Sequence, residues 1–291
     1  MTTRKILCPT DFSPGSNLAL EAAVRFAARD RVTELVVVHA VSFPSLAYAS
    51  EYPISAELVS EQSEAARLEL ARAVEHATTL GATRIASKLE DGPAWHVIVE
   101  TLADPSYDLC VIGSLGRTGL AKVLLGSVAE KVLRHAPCSV LTVHPGDRLG
   151  GRRHILCPVD FSSKSEHAME LAAKLVDPDG AITLLHVLEL PVRYTGTVSD
   201  EELAKSLAAE PTRKLLEWAN KLQATGVTVR SRSRIGYAGA QILSELEHDV
   251  SIDLVVMGSH GRTGVARIAL GSVAEKVTRH APCQVLIARA R

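Results

Sequence analysis

Two copies of one glycine-rich pattern, Gly-x2-Gly-x9-Gly-Ser, constrain the folding of this chain more than any other feature of its sequence. The copies occupy residues 113–127 and 258–272. Each follows an apolar run typical of a buried strand and precedes a run with helical spacing. Glycines at such a junction allow a tight turn and a close backbone approach, and the first amides of the following helix lack partners within it. The pattern therefore predicts, twice, a loop and helix N-terminus that hold an anion such as phosphate.

The serine that ends the first pattern is predicted to cap the following helix. Ser127 and Glu130 stand at the spacing of a capping box, which would gather the hydroxyl and the amides at the positive end of the helix dipole. The opening tetrapeptides of the two copies differ only where Leu115 corresponds to His260, and we interpret this histidine as a surface residue. The alternative for both copies is a tight turn that packs a helix on a sheet without binding a ligand.

A second repeated segment lies near the start of each half. Residues 6–13, ILCPTDFS, correspond to residues 155–162, ILCPVDFS. From there on, strand-like and helix-like runs alternate in each half in the order β-α-β-α-β-α-β-α-β. Such alternation with short turns predicts an α/β fold, in which a parallel sheet is covered by helices on both faces. We predict two domains, residues 1–147 and 152–291, separated by a short turn-rich connector.

Several candidate ligand-binding residues fall at the carboxyl ends of predicted strands, where such sheets bind ligands. In the first half, Asp11 follows the first strand, His39 lies at the end of the second and Gly113 follows the fourth. If strands one and four are neighbours, these positions converge on one crevice. Asp11 and its counterpart Asp160 could instead cap the helices that follow. We interpret His39 and its counterpart in the second half as hydrogen-bonded core histidines.

Composition and charge argue against several classes of function. The formal net charge is −1, which gives no bulk attraction for nucleic acid or anionic lipid, so we predict no nucleic-acid and no membrane partner. Apolar runs fall well short of the ~20 residues that span a bilayer, and the first residues do not resemble a signal peptide, which predicts a cytoplasmic protein. The five cysteines include no Cys-x-x-Cys pair, so we predict buried thiols and no metal site.

Together, the doubled glycine pattern, the doubled Pro-x-Asp-Phe-Ser segment and a His-Ala-Pro-Cys segment before each final strand resemble the universal stress protein family. The resemblance covers nearly the whole chain and is to a tandem, two-domain member. It implies two tandem open parallel five-stranded sheets of the adenine-nucleotide alpha-hydrolase-like type, with strand order 3-2-1-4-5. It also implies that the domains pair through their last strands as a pseudo-two-fold intramolecular dimer, and leaves open a further homodimer.

The resemblance further implies the ATP-binding subclass of the family, with ATP and Mg²⁺ as ligands. The aspartates would contact the ribose or the adenine edge, the backbone near the end of the second strand would line the adenine pocket, and the glycines and serines would hold the phosphates. The implied residues of the first site are Pro9, Thr10, Asp11, Ala40, Gly113, Gly116, Arg117, Gly126 and Ser127. Those of the second site are Pro158, Val159, Asp160, Val187, Gly258, Gly261, Arg262, Gly271 and Ser272.

Basic residues inside the two loops could offset the charge of a triphosphate. They are Arg117, Lys122, Arg262 and Arg267, and the alternative is that they are solvated loop cations. Fast catalysis has less support, because phosphoryl transfer also needs a positioned base and metal-binding carboxylates, and the motif regions offer no obvious carboxylate pair. We therefore predict a nucleotide-dependent switch or sensor in the stress response, not an enzyme. The alternatives are a slow ATP hydrolase, an enzyme that releases AMP or transfers adenylate, and a structural or partner-binding stress factor without nucleotide.

Overall fold

The chain forms two compact units, with the division between Pro145 and Gly146. The computed structural model describes residues 5–28, 33–42, 55–116, 125–147, 152–189, 200–261 and 270–290. Each unit repeats the same alternation of strands and helices, so the units are described one after the other.

The first unit is a five-stranded parallel sheet with helices between successive strands. Its elements are β1 (Lys5–Pro9), α1 (Pro14–Ala27), β2 (Glu34–Val41), α2 (Ala56–Thr79), β3 (Ile85–Asp91), α3 (Ala94–Ala103), β4 (Tyr107–Gly113), α4 (Ser127–His135) and β5 (Ser139–Val143). The strands lie in the order β3-β2-β1-β4-β5 and every pairing is parallel. The predicted order 3-2-1-4-5 is therefore confirmed in this unit.

The second unit has the same topology. Its elements are β6 (His154–Pro158), α5 (Ser163–Leu175), β7 (Ala181–Leu188), α6 (Asp200–Gln223), β8 (Thr228–Ile235), α7 (Ala238–His248), β9 (Leu254–Gly258), α8 (Ser272–His280) and β10 (Gln284–Ala288). The parallel strands lie in the order β8-β7-β6-β9-β10, which is the order of the first unit. The pairing of the two domains through their last strands stays a prediction.

The central strands of each sheet are covered on both faces. Leu7 and Cys8 of β1 and Val37 of β2 have no exposed surface, as is typical of strands in a parallel sheet between helices. The outer strands β3 and β8 are largely exposed and rich in polar side chains. Charged and polar side chains on an outer strand discourage pairing with another chain. The neighbouring strands β1 and β4, and likewise β6 and β9, thus form the buried centre of each sheet.

All five cysteines are buried, and none of them forms a disulfide bond within the described residues. Burial raises the pKa of the Cys8 and Cys157 thiols to about 12. At neutral pH these thiols are therefore protonated and act as small apolar side chains. The interpretation of the cysteines as buried thiols is confirmed.

Within the described ranges, every helix is too short or too polar to span a lipid bilayer.

Candidate functional site

Each unit contains a cavity at the carboxyl ends of its central strands. The chain order reverses there, since β1 lies between β2 and β4, and β6 lies between β7 and β9. The cavity has a volume of about 270 Å³ in the first unit and about 210 Å³ in the second. Both volumes fall just below the usual range of small-molecule pockets, which starts at roughly 300 Å³.

The predicted site residues of each half converge on its cavity, wherever the structure describes them. The first cavity is lined by Pro9, Thr10, Asp11, Ala40, Gly113, Gly116, Gly126 and Ser127. The second is lined by Pro158, Val159, Asp160, Val187, Gly258, Gly261, Gly271 and Ser272. The basic residues predicted beside them, Arg117, Lys122, Arg262 and Arg267, lie outside the described residues.

The aspartates do not cap the following helices, so that alternative is wrong. The N-cap residues are Ser13 and Ser162. Their hydroxyls accept hydrogen bonds from the backbone amides of the residues three positions later in the chain. Asp11 accepts the Ser13 amide on Oδ1 at 3.1 Å, and Asp160 accepts the Ser162 amide at 3.1 Å and its hydroxyl at 2.6 Å. These bonds hold each carboxylate beside the cavity. The residue that follows each aspartate, Phe12 or Phe161, has a positive φ and so adopts a left-handed backbone conformation.

A histidine anchors the strand end that carries each aspartate. His39 Nδ1 lies 2.7 Å from the carbonyl oxygen of Thr10, and His186 Nδ1 lies 2.8 Å from that of Val159. Because a carbonyl only accepts hydrogen bonds, Nδ1 must carry the proton in both rings. Each ring also stacks on a phenylalanine, Phe12 or Phe161, at centroid distances of 4.3 and 4.6 Å. The interpretation as a hydrogen-bonded core histidine is confirmed for His186, which is buried, whereas His39 is hydrogen-bonded but only partly buried.

The glycines of the motif meet different needs. A Cβ on Gly113 would lie 2.8 Å from the carbonyl oxygen of Gly15 in α1, so this glycine lets the helix pack closely on the end of β4. A Cβ on Gly116 would lie 2.9 Å from Asp11 Oδ2, and one on Gly261 would lie 2.8 Å from Asp160 Oδ2. Gly116 and Gly261 therefore bring the loop backbone against the carboxylate that borders the cavity.

The helix that follows each loop begins one residue earlier than a capping box would require. The N-cap residues are Gly126 and Gly271, and neither helix has a side-chain cap hydrogen bond. Ser127 is the first helical residue, while Glu130 accepts hydrogen bonds from Arg134 at 3.0 and 3.2 Å. The predicted capping box is therefore wrong, because Gly126 is already the N-cap residue and Glu130 pairs with Arg134, one turn further along the helix. Uncapped first-turn amides remain beside the cavity.

The sequence did not reveal the apolar wall of either cavity. In the first unit this wall combines residues of β2, β4 and the start of α3, namely Val38, Ile112, Ala94, Val97 and Ile98. In the second unit the corresponding lining residues are Leu185, Met257, Ala238 and Ile242. One sequence signal could have indicated this wall, because in both halves the helix begins at an alanine, Ala94 or Ala238, two residues after a glycine. The sequence motifs also did not indicate that Ser16, Ser165 and Ser114 line the cavities, where they add hydroxyl groups near the glycine loops.

The two cavities differ at the residue pair 114–115 and its counterpart 259–260. In the first unit, Ser114 is 1% exposed and its hydroxyl lacks a hydrogen-bond partner in the described part of the chain. In the second, Ser259 Oγ lies 3.0 Å from His260 Nδ1, and the buried Nε2 of that ring has no hydrogen-bond partner among the described residues. Burial lowers the pKa of His260, and the charges of Lys164 and Arg289 lower it further. The interpretation of His260 as a surface residue is wrong, because the partly buried ring forms part of the cavity wall.

Acidic side chains are sparse around both cavities. Among the described lining residues, Asp11 is the one carboxylate of the first cavity and Asp160 that of the second. Within the same ranges, no group of three or more His, Cys, Asp or Glu side chains is placed to hold a metal ion. The cavity thus offers an apolar slot, one carboxylate, and a set of backbone amides and hydroxyls.

Comparisons with known proteins identify the same pair of domains. The model of the universal stress protein family matches residues 2–144 and again residues 151–289. The chain is 32% identical over 304 aligned residues to Universal stress protein Rv2623 of Mycobacterium tuberculosis, an alignment that covers 98% of this chain and 96% of that protein. A universal stress protein of Mycolicibacterium smegmatis is 28% identical over 291 residues, with 95% of each chain covered.

Among solved structures, the fold resembles that of a universal stress protein from Archaeoglobus fulgidus. The two structures superpose with a TM-score of 0.70 over 99% of each chain, at 24% sequence identity. The likeness therefore extends over both units and concerns the fold.

Proposed function

Because the chain belongs to the universal stress protein family, we propose that it is an ATP-binding protein of the stress response. Each cavity takes one ATP together with Mg²⁺, and the bound state acts as a switch or sensor rather than as a fast catalyst. One observation carries the proposal. In both units, an apolar slot, a single carboxylate and an uncapped helix N-terminus meet in one cavity.

The apolar slot suits a flat heteroaromatic base. Its walls come from two strands of each sheet and from the N-terminal half of α3 or α7, which begin with the small residues Ala94 and Ala238. An adenine ring would remove this apolar surface from water, which is favourable by about 25 cal/mol per Å². Backbone groups near Ala40 and Val187 would supply the polar contacts at the base edge.

The carboxylate suits the hydroxyl groups of a ribose. Asp11 and Asp160 are already oriented by the amides of Ser13 and Ser162 through Oδ1. A hydroxyl that donates to an ionised carboxylate makes a charge-assisted hydrogen bond, which is stronger than a bond between neutral groups. Holding the carboxylate in place before the ligand arrives reduces the entropy that binding must overcome.

The helix N-terminus suits the phosphates. The amides at the start of α4 and α8 are not used by a side-chain cap and carry the positive end of the helix dipole. The close approach of Gly116 and Gly261 to the aspartates leaves the loop without a side chain that would fill the cradle. Arg117 and Arg262 would add positive charge beside the phosphates, and Mg²⁺ would be held mainly by phosphate oxygens.

The proposal of a switch rests on what lines the cavities. Rapid phosphoryl transfer needs a base or water-positioning group as well as carboxylates for the metal. Each described lining supplies one carboxylate, which Gly116 or Gly261 already approaches closely. ATP would instead hold the loop against the helix N-terminus, so that the protein presents a different surface when ATP is bound. We place this switch in the cytoplasm.

Equilibrium dialysis with Mg·ATP tests the proposal. We expect two ATP per chain, one after Asp11→Ala or Asp160→Ala, and markedly weakened binding at both sites in the double variant. Asp104→Ala and Asp179→Ala are the matched controls, because these exposed aspartates lie outside the cavity linings and their removal makes the same change in charge. These controls should retain both ATP molecules.

Two results would contradict the proposal in different ways. A wild-type protein that binds no ATP would favour a structural or partner-binding factor. Turnover of ATP at about one per second or faster, within the usual enzymatic range, would favour an ATP hydrolase or an adenylate-transferring enzyme.

A further inference from the structure

The two cavities present different hydrogen-bonding groups at one equivalent place. In the first unit the buried Ser114 hydroxyl has no partner in the described part of the chain and lies beside Leu115, which cannot titrate. In the second unit the equivalent hydroxyl is 3.0 Å from His260 Nδ1, so the group left without a partner within the described ranges is His260 Nε2. A buried polar atom without a partner is costly, and a ligand that supplies the partner removes the cost. The group that a ligand would satisfy is thus a hydroxyl in one unit and an imidazole in the other.

We propose that the second site takes up a proton on His260 when it binds nucleotide, whereas the first site does not. The inference rests on the proposed function and adds a regulatory property to it. With a proton on each nitrogen, the ring donates from Nδ1 to the Ser259 hydroxyl and from Nε2 to a phosphate oxygen. Such a charge-assisted bond is roughly twice as strong as one from a neutral donor. Ser114 in the first unit would donate to the ligand as a neutral hydroxyl at any physiological pH.

The charges around His260 determine the direction of this coupling. Burial disfavours protonation of the ring, and the positive charges of Lys164, at the start of α5, and Arg289, beyond β10, act in the same direction. Asp160 lies against the neighbouring Gly261 and is the acidic group on this side of the cavity. Without ligand the ring is therefore neutral near pH 7. Phosphate groups would bring several negative charges into the cavity and raise the pKa of His260.

The pH dependence follows from that change in pKa. Binding that raises the pKa of a group is strengthened fully below the pKa of the free protein, and the gain is lost as pH rises through the pKa of the complex. The affinity of the second site should therefore fall as pH rises, by at most about tenfold per pH unit for one proton. The first site should show only the pH dependence of ATP itself.

Calorimetric titration with Mg·ATP, in buffers of different ionisation enthalpy between about pH 5.5 and pH 8, tests the inference. It counts the protons taken up per ATP bound. The chain offers its own controls, because His260→Leu gives the second site the residue of the first, and Leu115→His makes the reciprocal change. His260→Gln keeps a hydrogen-bond donor but cannot titrate, which separates protonation from packing.

We expect wild-type protein to take up more protons than His260→Leu and His260→Gln, and Leu115→His to take up more than wild type. ATP binding to both sites with the same proton uptake in wild type and His260→Gln would overturn the inference alone. Such a result would mean that a neutral Nε2–H donates to the phosphate. Failure of every variant to bind ATP at any pH would overturn the proposed function and the inference with it.

Discussion

A single added methyl group in the second glycine loop should weaken ATP binding at one site only. In Gly261→Ala, the new Cβ would lie 2.8 Å from Asp160 Oδ2, which is closer than real Cβ atoms come to other atoms. Asp160 is held by the Ser162 amide at 3.1 Å and by its hydroxyl at 2.6 Å. The strain is relieved either by rotation of the carboxylate, which breaks these bonds, or by movement of the loop away from it.

Both ways of relieving the strain remove the carboxylate from the place where a ribose hydroxyl would meet it. A hydrogen bond to a charged group contributes about 1.5–3 kcal/mol, which corresponds to a roughly 10- to 150-fold change in dissociation constant. We therefore expect the dissociation constant for ATP at the second site to rise by about one to two orders of magnitude. The stability of the unit should change little, because the contact is with the end of a side chain.

Equilibrium dialysis at an ATP concentration that saturates both wild-type sites measures the effect. Gly261→Ala should bind one ATP per chain, and the first site in the same molecule reports that the protein is folded. Gly116→Ala is the matched variant in the first unit, where the new Cβ would lie 2.9 Å from Asp11 Oδ2. If both variants bind ATP as tightly as wild type, the aspartates do not contact the nucleotide.

Three further predictions concern stability and reactivity. Gly113→Ala should cost about 1–3 kcal/mol in urea unfolding, and more than Gly258→Ala, because its Cβ would lie 2.8 Å from a helix carbonyl oxygen whereas the nearest atom to the other is at 3.1 Å. Burial lowers the pKa of His154, so the unfolded chain takes up that proton first and stability should decline as pH falls below about 6.5; His154→Asn should flatten the decline. The buried cysteines should react with a thiol reagent only on unfolding, and rapid labelling of the native protein would contradict this.

The fold could be predicted from the sequence because its signals are redundant. Alternating strand and helix patterns determine a parallel sheet, and right-handed crossovers leave few topologies. The doubled motifs then place the aspartate and the glycine loop at neighbouring strand ends. This is why Asp11 and Gly116, and likewise Asp160 and Gly261, proved to be in contact range.

The rest of the site could not be predicted because it depends on geometry that residue spacing does not encode. The pattern Ser-x-x-Glu is the same whether serine caps a helix or is its first residue, and Gly126 takes the cap in this fold. Which face of α3 meets the cavity depends on how the crossover helix docks, so Val97 and Ile98 could not be distinguished from ordinary core residues. Residue spacing also does not show that the His260 ring lies in the cavity wall, or that burial and the charges of Lys164 and Arg289, which are remote in sequence, lower its pKa.

The proposed function requires that both cavities hold ATP. The most direct test is to purify the protein without added nucleotide, denature it, and quantify the released adenine nucleotides per chain by chromatography and mass spectrometry, before and after incubation with Mg·ATP. We expect about two intact ATP molecules per chain after incubation, one for each cavity. Protein that releases no nucleotide under either condition would contradict it and leave the glycine loops as packing turns.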